Sequence, residues 1–234
     1  MTPEIATGLA FFAVFLFSTT LHEAAHAWAA LRGGDPTAYA GGQVSLDPMP
    51  HIRREPFGMI ILPLLTSVTI GWPMGYASAP YDPRWALKYP NRAAVMALAG
   101  PAANFSLVLL CFLAMRALAY AGIFTPPESV SFSQLTATEA GAVWSTLGSF
   151  LSIGFSLNLL LGVFNLLPFP PLDGSAAITL LMNKKLTARY QMFVWTTPIL
   201  GFLGIFLAWR MFPPVFGPVF RAAINLIYPG VTYG

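Results

Sequence analysis

The chain has 234 residues, 56% of them hydrophobic and 9% charged, with a formal net charge of +3. Soluble domains run at about 45–50% apolar and about 25% charged, so a water-soluble globule is excluded, and an aromatic share of 14% excludes a disordered chain. The lone Cys111 offers neither a disulfide framework nor a thiolate metal cluster, and the scattered basic residues offer no nucleic-acid patch.

A bilayer core of about 30 Å takes about 20 apolar residues as helix. Ile5 to Leu31 meets that length, and no Lys or Arg precedes it, which sets it apart from a cleavable signal peptide. Its second half is too polar for a plain anchor. Residues 37–56 are polar and turn-rich, and the alternating Gln43-Val44-Ser45-Leu46 predicts a small β-hairpin at the membrane surface. An apolar run from Phe57 to Trp72 is short and holds Pro63. Further spans are expected over Arg92–Tyr120, Gly141–Leu167 and Tyr190–Met211, with an amphipathic tail, Pro213–Tyr228, lying on the surface.

Lys and Arg orient these runs. Arg32, Arg53 and Arg54 follow the first; Arg84, Lys88 and Arg92 precede the next clear span; Lys184, Lys185 and Arg189 lie before the last. Cytoplasmic loops carry the basic excess, and all three clusters share one face only if residues 57–72 enter and leave by the same side. Five spans would put Arg84 and Lys88 outside. The expected fold is therefore an all-α polytopic helical bundle, single-domain over 1–234, with about four spanning helices, a re-entrant segment and a small β-hairpin. Pro at 21 and Gly at 20 suit such broken segments. No internal repeat supports an inverted-repeat transporter.

His22-Glu23-Ala24-Ala25-His26 is an H-E-x-x-H pattern. Four residues make just over one helical turn, so both imidazoles reach one ion from a single face. Zinc suits imidazole nitrogen, and a catalytic site keeps three protein ligands and one open position. Glu23 beside the first histidine is placed to take a proton from water. Two structural histidines matching by accident would still leave three ionisable groups inside a membrane segment, each costing about 2.5–3.5 kcal/mol on insertion scales. Candidates for the third ligand are His51, Asp47, Asp82 and Asp173. Asp47 and Asp82 each precede proline, which is ordinary turn chemistry, and His51 lies in a basic loop, where a surface or outer role is expected. Asp173 closes Asn165-Leu-Leu-Pro-Phe-Pro-Pro-Leu-Asp173-Gly174, where prolines stop a long apolar helix. His22 sits about 25 Å along its helix from Ile5, in the leaflet that the 141–167 helix reaches at its C-terminal end. His22, His26 and Asp173 are therefore the expected metal ligands, with one zinc per chain.

H-E-A-A-H on an early apolar helix with N-L-L-P-F-P-P-L-D-G on a later one resembles the paired signature of the site-2 protease family of intramembrane zinc metallopeptidases. Gly100-Pro101-Ala102-Ala103-Asn104 resembles the G-P-x-x-N segment of that family's intervening core helix. The stretch from Gln43 to His51 is similar to the short bacterial members, without PDZ or CBS modules. The resemblance covers about residues 8 to 210. It implies a three-helix core opening to the cytosol, zinc below the membrane surface, and hydrolysis of peptide bonds in or near a substrate's transmembrane helix. It assigns His22, His26 and Asp173 to zinc and Glu23 to the general base. It also assigns Asn165 to the substrate backbone or oxyanion, against a helix-capping bond as the plain alternative. Asn104 carries the same assignment, with an interhelical hydrogen bond the favoured reading. Gly174 reads as backbone geometry. A bacterial plasma membrane, a transmembrane protein substrate, surrounding lipid and a regulatory membrane partner complete the expectation, with no nucleic acid.

The hairpin near 41–48 is expected to hold an unwound substrate segment as an added strand. A non-enzymatic metal-binding membrane protein or transporter is the alternative, and Glu23 separates the two, because transport needs no carboxylate beside the first histidine. A prenyl-protein protease would need its ligands on other helices.

Overall fold

The computed structural model describes residues 3–233. The first helix, α1 (Pro3–Gly33), runs through the whole apolar stretch and stops where Gly34 takes φ +95°. That left-handed residue lets the Asp35 amide reach back to the Ala30 carbonyl at 2.9 Å, closing the helix end. Two short helices follow, α2 (Thr37–Ala40) and α3 (Pro48–Arg54). Asp47 caps α3, its carboxylate accepting from the Met49 amide at 2.9 Å, and Pro48 sits in the first turn, where a missing N–H costs nothing.

The expected hairpin is absent. Residues 43–46 form no strand, and among the described residues the only β pairing is two isolated bridges, Thr125 with Ala137 and Ser131 with Gln134. The reason is local. Asp47 turns its own amide onto Ser45 Oγ at 3.0 Å and its carboxylate onto α3, which commits the segment to a helix start. Nor is the re-entrant segment supported: a π-helical turn, Phe57–Ile61, leads into α4 (Leu62–Thr69), and the pair makes a short helix along α1 that defines no membrane face to enter or leave. The chain then runs extended, with the Tyr76 amide on the Gly58 carbonyl at 3.1 Å and the Asp82 amide on the Asp35 carboxylate at 2.7 Å.

Asp82 caps α5 (Pro83–Lys88), and Pro90 opens α6 (Pro90–Tyr120). After the 121–140 loop come α7 (Ala142–Asn165), α8 (Asp173–Ala177), α9 (Lys184–Thr196) and α10 (Ile199–Asn225). The last span therefore differs from expectation. The break falls at Thr197–Pro198, and α10 continues through Pro213, Pro214 and Pro218 where a separate surface tail was expected. Neighbouring packing lets apolar helices carry such prolines. Here Phe212, Phe216 and Phe220 line one face of α10 and stack in sequence, with Phe132 of the 121–140 loop against the last two.

Four helices, α1, α6, α7 and α10, are long and apolar enough to cross a membrane. Large side chains such as Phe17, Leu109, Leu110, Phe202 and Phe206 face outward, an arrangement suited to lipid and costly in water. The inner face is different in kind: α6 packs along both α1 and α7, and the buried set there includes Ser18, Thr20, His22, Glu23, His26, Asn104, Ser152 and Asn158.

Candidate metal centre

Ser18, His22 and His26 fall four residues apart and share the face of α1 turned toward α6. Both histidines and Glu23 are buried. The Nε2 atoms of His22 and His26 lie 3.0 Å apart, and Oδ2 of Asp173 lies 3.1 Å from the first and 3.3 Å from the second.

The outer nitrogens fix the state of the rings. Nδ1–H of His26 donates to the Met96 carbonyl at 2.7 Å, and Nδ1–H of His22 donates to Oδ1 of Asn104 at 2.6 Å. With the proton held at Nδ1, the neutral form of each ring turns an Nε2 lone pair inward. Asp173 Oδ2 is buried and accepts no hydrogen bond. Three lone-pair atoms thus face one another, an arrangement that repels unless a cation lies among them. Tetrahedral zinc with bonds of about 2.0–2.2 Å has ligand-to-ligand edges of about 3.3–3.6 Å, close to the separations here. The two-histidine, one-carboxylate set leaves a fourth position open, so the residues fit zinc.

Asp173 reaches the histidines because α7 stops short. The prolines at 168, 170 and 171 turn the chain, and α8 begins at Asp173 itself. A Cβ on Gly174 would collide with the carbonyls of Leu166 and Leu167, so the return past the end of α7 needs a glycine. From the other side, Leu167, Leu172 and Ala208 pack together with Phe164, Phe169 and Phe212, seating the turn against α10.

The other candidates lie apart from this cluster. Asp47 and Asp82 act as helix caps. His51 is buried, not on the surface, with Nε2 on the Ser45 carbonyl at 3.1 Å. Asn165 donates to the Leu161 carbonyl one turn back at 3.0 Å. Asn104 is fully enclosed between His22 and Asn158. Sequence reasoning passed over two residues. Gly100 faces both Nε2 atoms closely enough that a Cβ would fill the space between them. Asn158 is a buried amide in a helix long and apolar enough to span lipid, and an amide at that depth was the signal available.

The model of peptidase family M50 matches residues 10–205. The chain belongs to that family, the site-2 proteases, and is a metallopeptidase of the zinc-dependent kind. YwhC of Bacillus subtilis is 32% identical over 203 residues, covering 84% of this chain and 82% of that protein. Rip2 of Mycobacterium tuberculosis is 34% identical over 166 residues, and Rip2 of Mycolicibacterium smegmatis 32% over 173. All three carry zinc-metalloprotease names. The match spans 54% and 56% of the two Rip2 chains. No solved structure matches. Family and apolar helices together make this a multi-pass membrane protein.

Proposed function

We propose that this chain is an intramembrane endopeptidase, hydrolysing peptide bonds in or near transmembrane segments of membrane-protein substrates, as in regulated intramembrane proteolysis. The observation that carries the reading is the convergence of His22, His26 and Asp173 to 3.0–3.3 Å on the inner face of helices long and apolar enough to span lipid. In this reading the three residues hold zinc. Bound there, zinc supplies Lewis acidity and makes water acidic near neutral pH.

Glu23, buried beside His22, takes the proton from the attacking water and passes it to the departing amine. Asn165 stands at the C-terminal end of α7, eight residues before Asp173, where its amide is available to a substrate backbone or a developing oxyanion. A substrate helix must unwind locally first, because its hydrogen-bonded amides are shielded from attack. The basic residues around 32–54, 84–92 and 184–189 favour a cytosolic opening of the site in a bacterial plasma membrane.

The test is Glu23→Gln in purified protein, with zinc analysis beside cleavage of a reconstituted transmembrane substrate. About one zinc per chain is expected in parent and variant, with cleavage lowered about 10²–10⁴-fold in the variant, the range for loss of a general base. Undiminished cleavage by the variant would overturn the mechanism, and a zinc-free parent would overturn the site.

A further inference from the structure

His26 and His22 are held in the same tautomer by different means. His26 Nδ1 meets a backbone carbonyl, Met96, at 2.7 Å. A carbonyl only accepts, so that nitrogen must carry the proton. His22 Nδ1 instead meets the side chain of Asn104 at 2.6 Å. An amide side chain can present either its oxygen or its NH2, and if it turned the NH2 toward His22 the ring would shift its proton to Nε2, the nitrogen that faces Asp173.

What fixes the Asn104 amide lies on α7. Its Nδ2 donates to Oδ1 of Asn158 at 2.8 Å, and Asn158 Nδ2 donates both to the Gly154 carbonyl at 2.8 Å and to Ser18 Oγ at 2.9 Å. The direction of every bond follows from the far end. The Gly154 carbonyl is an obligate acceptor, so Asn158 must turn its NH2 there and its oxygen toward Asn104. Asn104 must then offer its NH2 to Asn158, which leaves its oxygen for His22 and makes His22 Nδ1 the donor. Asn104 is 0% exposed and Asn158 1%, so no water competes for these groups. The relay joins α1, α6 and α7, and it ends at a metal-facing lone pair.

We infer that Asn158 is a positioning residue of the metal centre, setting the tautomer of His22 through Asn104 although it touches neither zinc nor substrate. The inference rests on His22 holding zinc. Outer partners of a metal-bound histidine are worth about 10–100-fold in metal affinity, and Asn158 acts one residue further out.

Competition with a chelator, measured on the full chain in detergent, tests this through zinc affinity and not through turnover. Asn158→Leu removes the acceptor and frees Asn104 to flip; zinc affinity is expected to fall about 10-fold or more. Asn158→Asp loses the donor to Gly154 yet keeps an oxygen facing Asn104, and affinity is expected within about threefold of the parent. In the double variant N104D/N158L, the residue at 104 can only accept, so His22 regains its tautomer and most of the lost affinity returns. A purely structural role predicts another order, with the buried charge making Asn158→Asp and the double variant worse than Asn158→Leu. That order, or parental affinity in Asn158→Leu, overturns the relay. Failure of zinc to bind the parent would instead overturn the underlying site.

Discussion

Gly100 of α6 lies against the Nε2 face of His22, so close that a methyl group at position 100 would overlap both that nitrogen and its counterpart on His26. The glycine leaves clear the volume that an ion between the imidazoles needs. Gly100→Ala should therefore abolish stoichiometric zinc binding, weakening affinity by at least about 100-fold, while the bundle stays folded. Alanine is the better helix former by about 1 kcal/mol, so loss of zinc could not be traced to a weakened α6. Metal analysis with circular dichroism on the same sample checks this, and full zinc occupancy in Gly100→Ala would place the ion elsewhere.

Metal removal should register as lost stability. A ligand present at 100 times its Kd stabilises the folded state by about 2.7 kcal/mol, and in a chain of this size each kcal/mol moves Tm by about 2–4 °C. Chelation is expected to lower the Tm of the parent by about 5–10 °C and that of Glu23→Gln by the same amount, since Glu23 is not among the three converging groups. Asp173→Asn keeps the side-chain shape but loses the carboxylate charge, and its Tm should respond to the chelator by no more than a couple of degrees, a figure on the same scale. An equal chelator response in Asp173→Asn would remove Asp173 from the ligand set.

Asn165 tests the chemistry beyond the ligands. One amide hydrogen is already spent on Leu161 within α7, so its contribution to stability is that of a helix-internal bond. If its remaining polar capacity serves the oxyanion, Asn165→Ala should lower kcat about 10²–10³-fold with zinc content and KM near parental values. A variant with unchanged kcat and a slightly reduced Tm would assign Asn165 to the helix end alone.

How much of this was legible in the sequence depended on whether the signal was local. His22 and His26 declare themselves by spacing on one helix, and Asp173 by standing after a run of prolines in an apolar chain. The number of long helices followed from apolar length, but not the bounds of the last, which begins at Ile199. What failed was context. Gln43–Leu46 alternates like a strand, but a strand needs a partner, and Asp47 had a stronger local use as a helix cap. Pro213–Tyr228 reads as a separate amphipathic tail, yet α10 runs on through Pro213 and Pro214 with Phe212, Phe216 and Phe220 stacked along it. Asn158 and Gly100 could not be assigned because their roles depend on what α7 and α6 place opposite them, which no spacing within one helix encodes.

The last dependence links α10 to the site from behind. A Cβ on Gly204 would run into the backbone carbonyl of Pro170, so α10 lies directly against the proline turn that carries Asp173. Gly204→Ala cannot relieve this by a rotamer change, because the clash is with backbone; either α10 shifts outward or the 168–172 turn moves toward the histidines. Overpacking of this kind costs about 1–3 kcal/mol, partly offset by alanine's helix preference of about 1 kcal/mol. The expected outcome is a Tm lowered by a few degrees, on the scale of about 2–4 °C per kcal/mol, together with weaker zinc binding because Asp173 is displaced with the turn. Gly201 on the same helix has open space around it, so Gly201→Ala should keep parental zinc affinity and serve as the control. Thermal unfolding and chelator competition on the two variants decide the matter: equal zinc affinities in Gly204→Ala and Gly201→Ala would show that α10 supports the bundle without positioning Asp173.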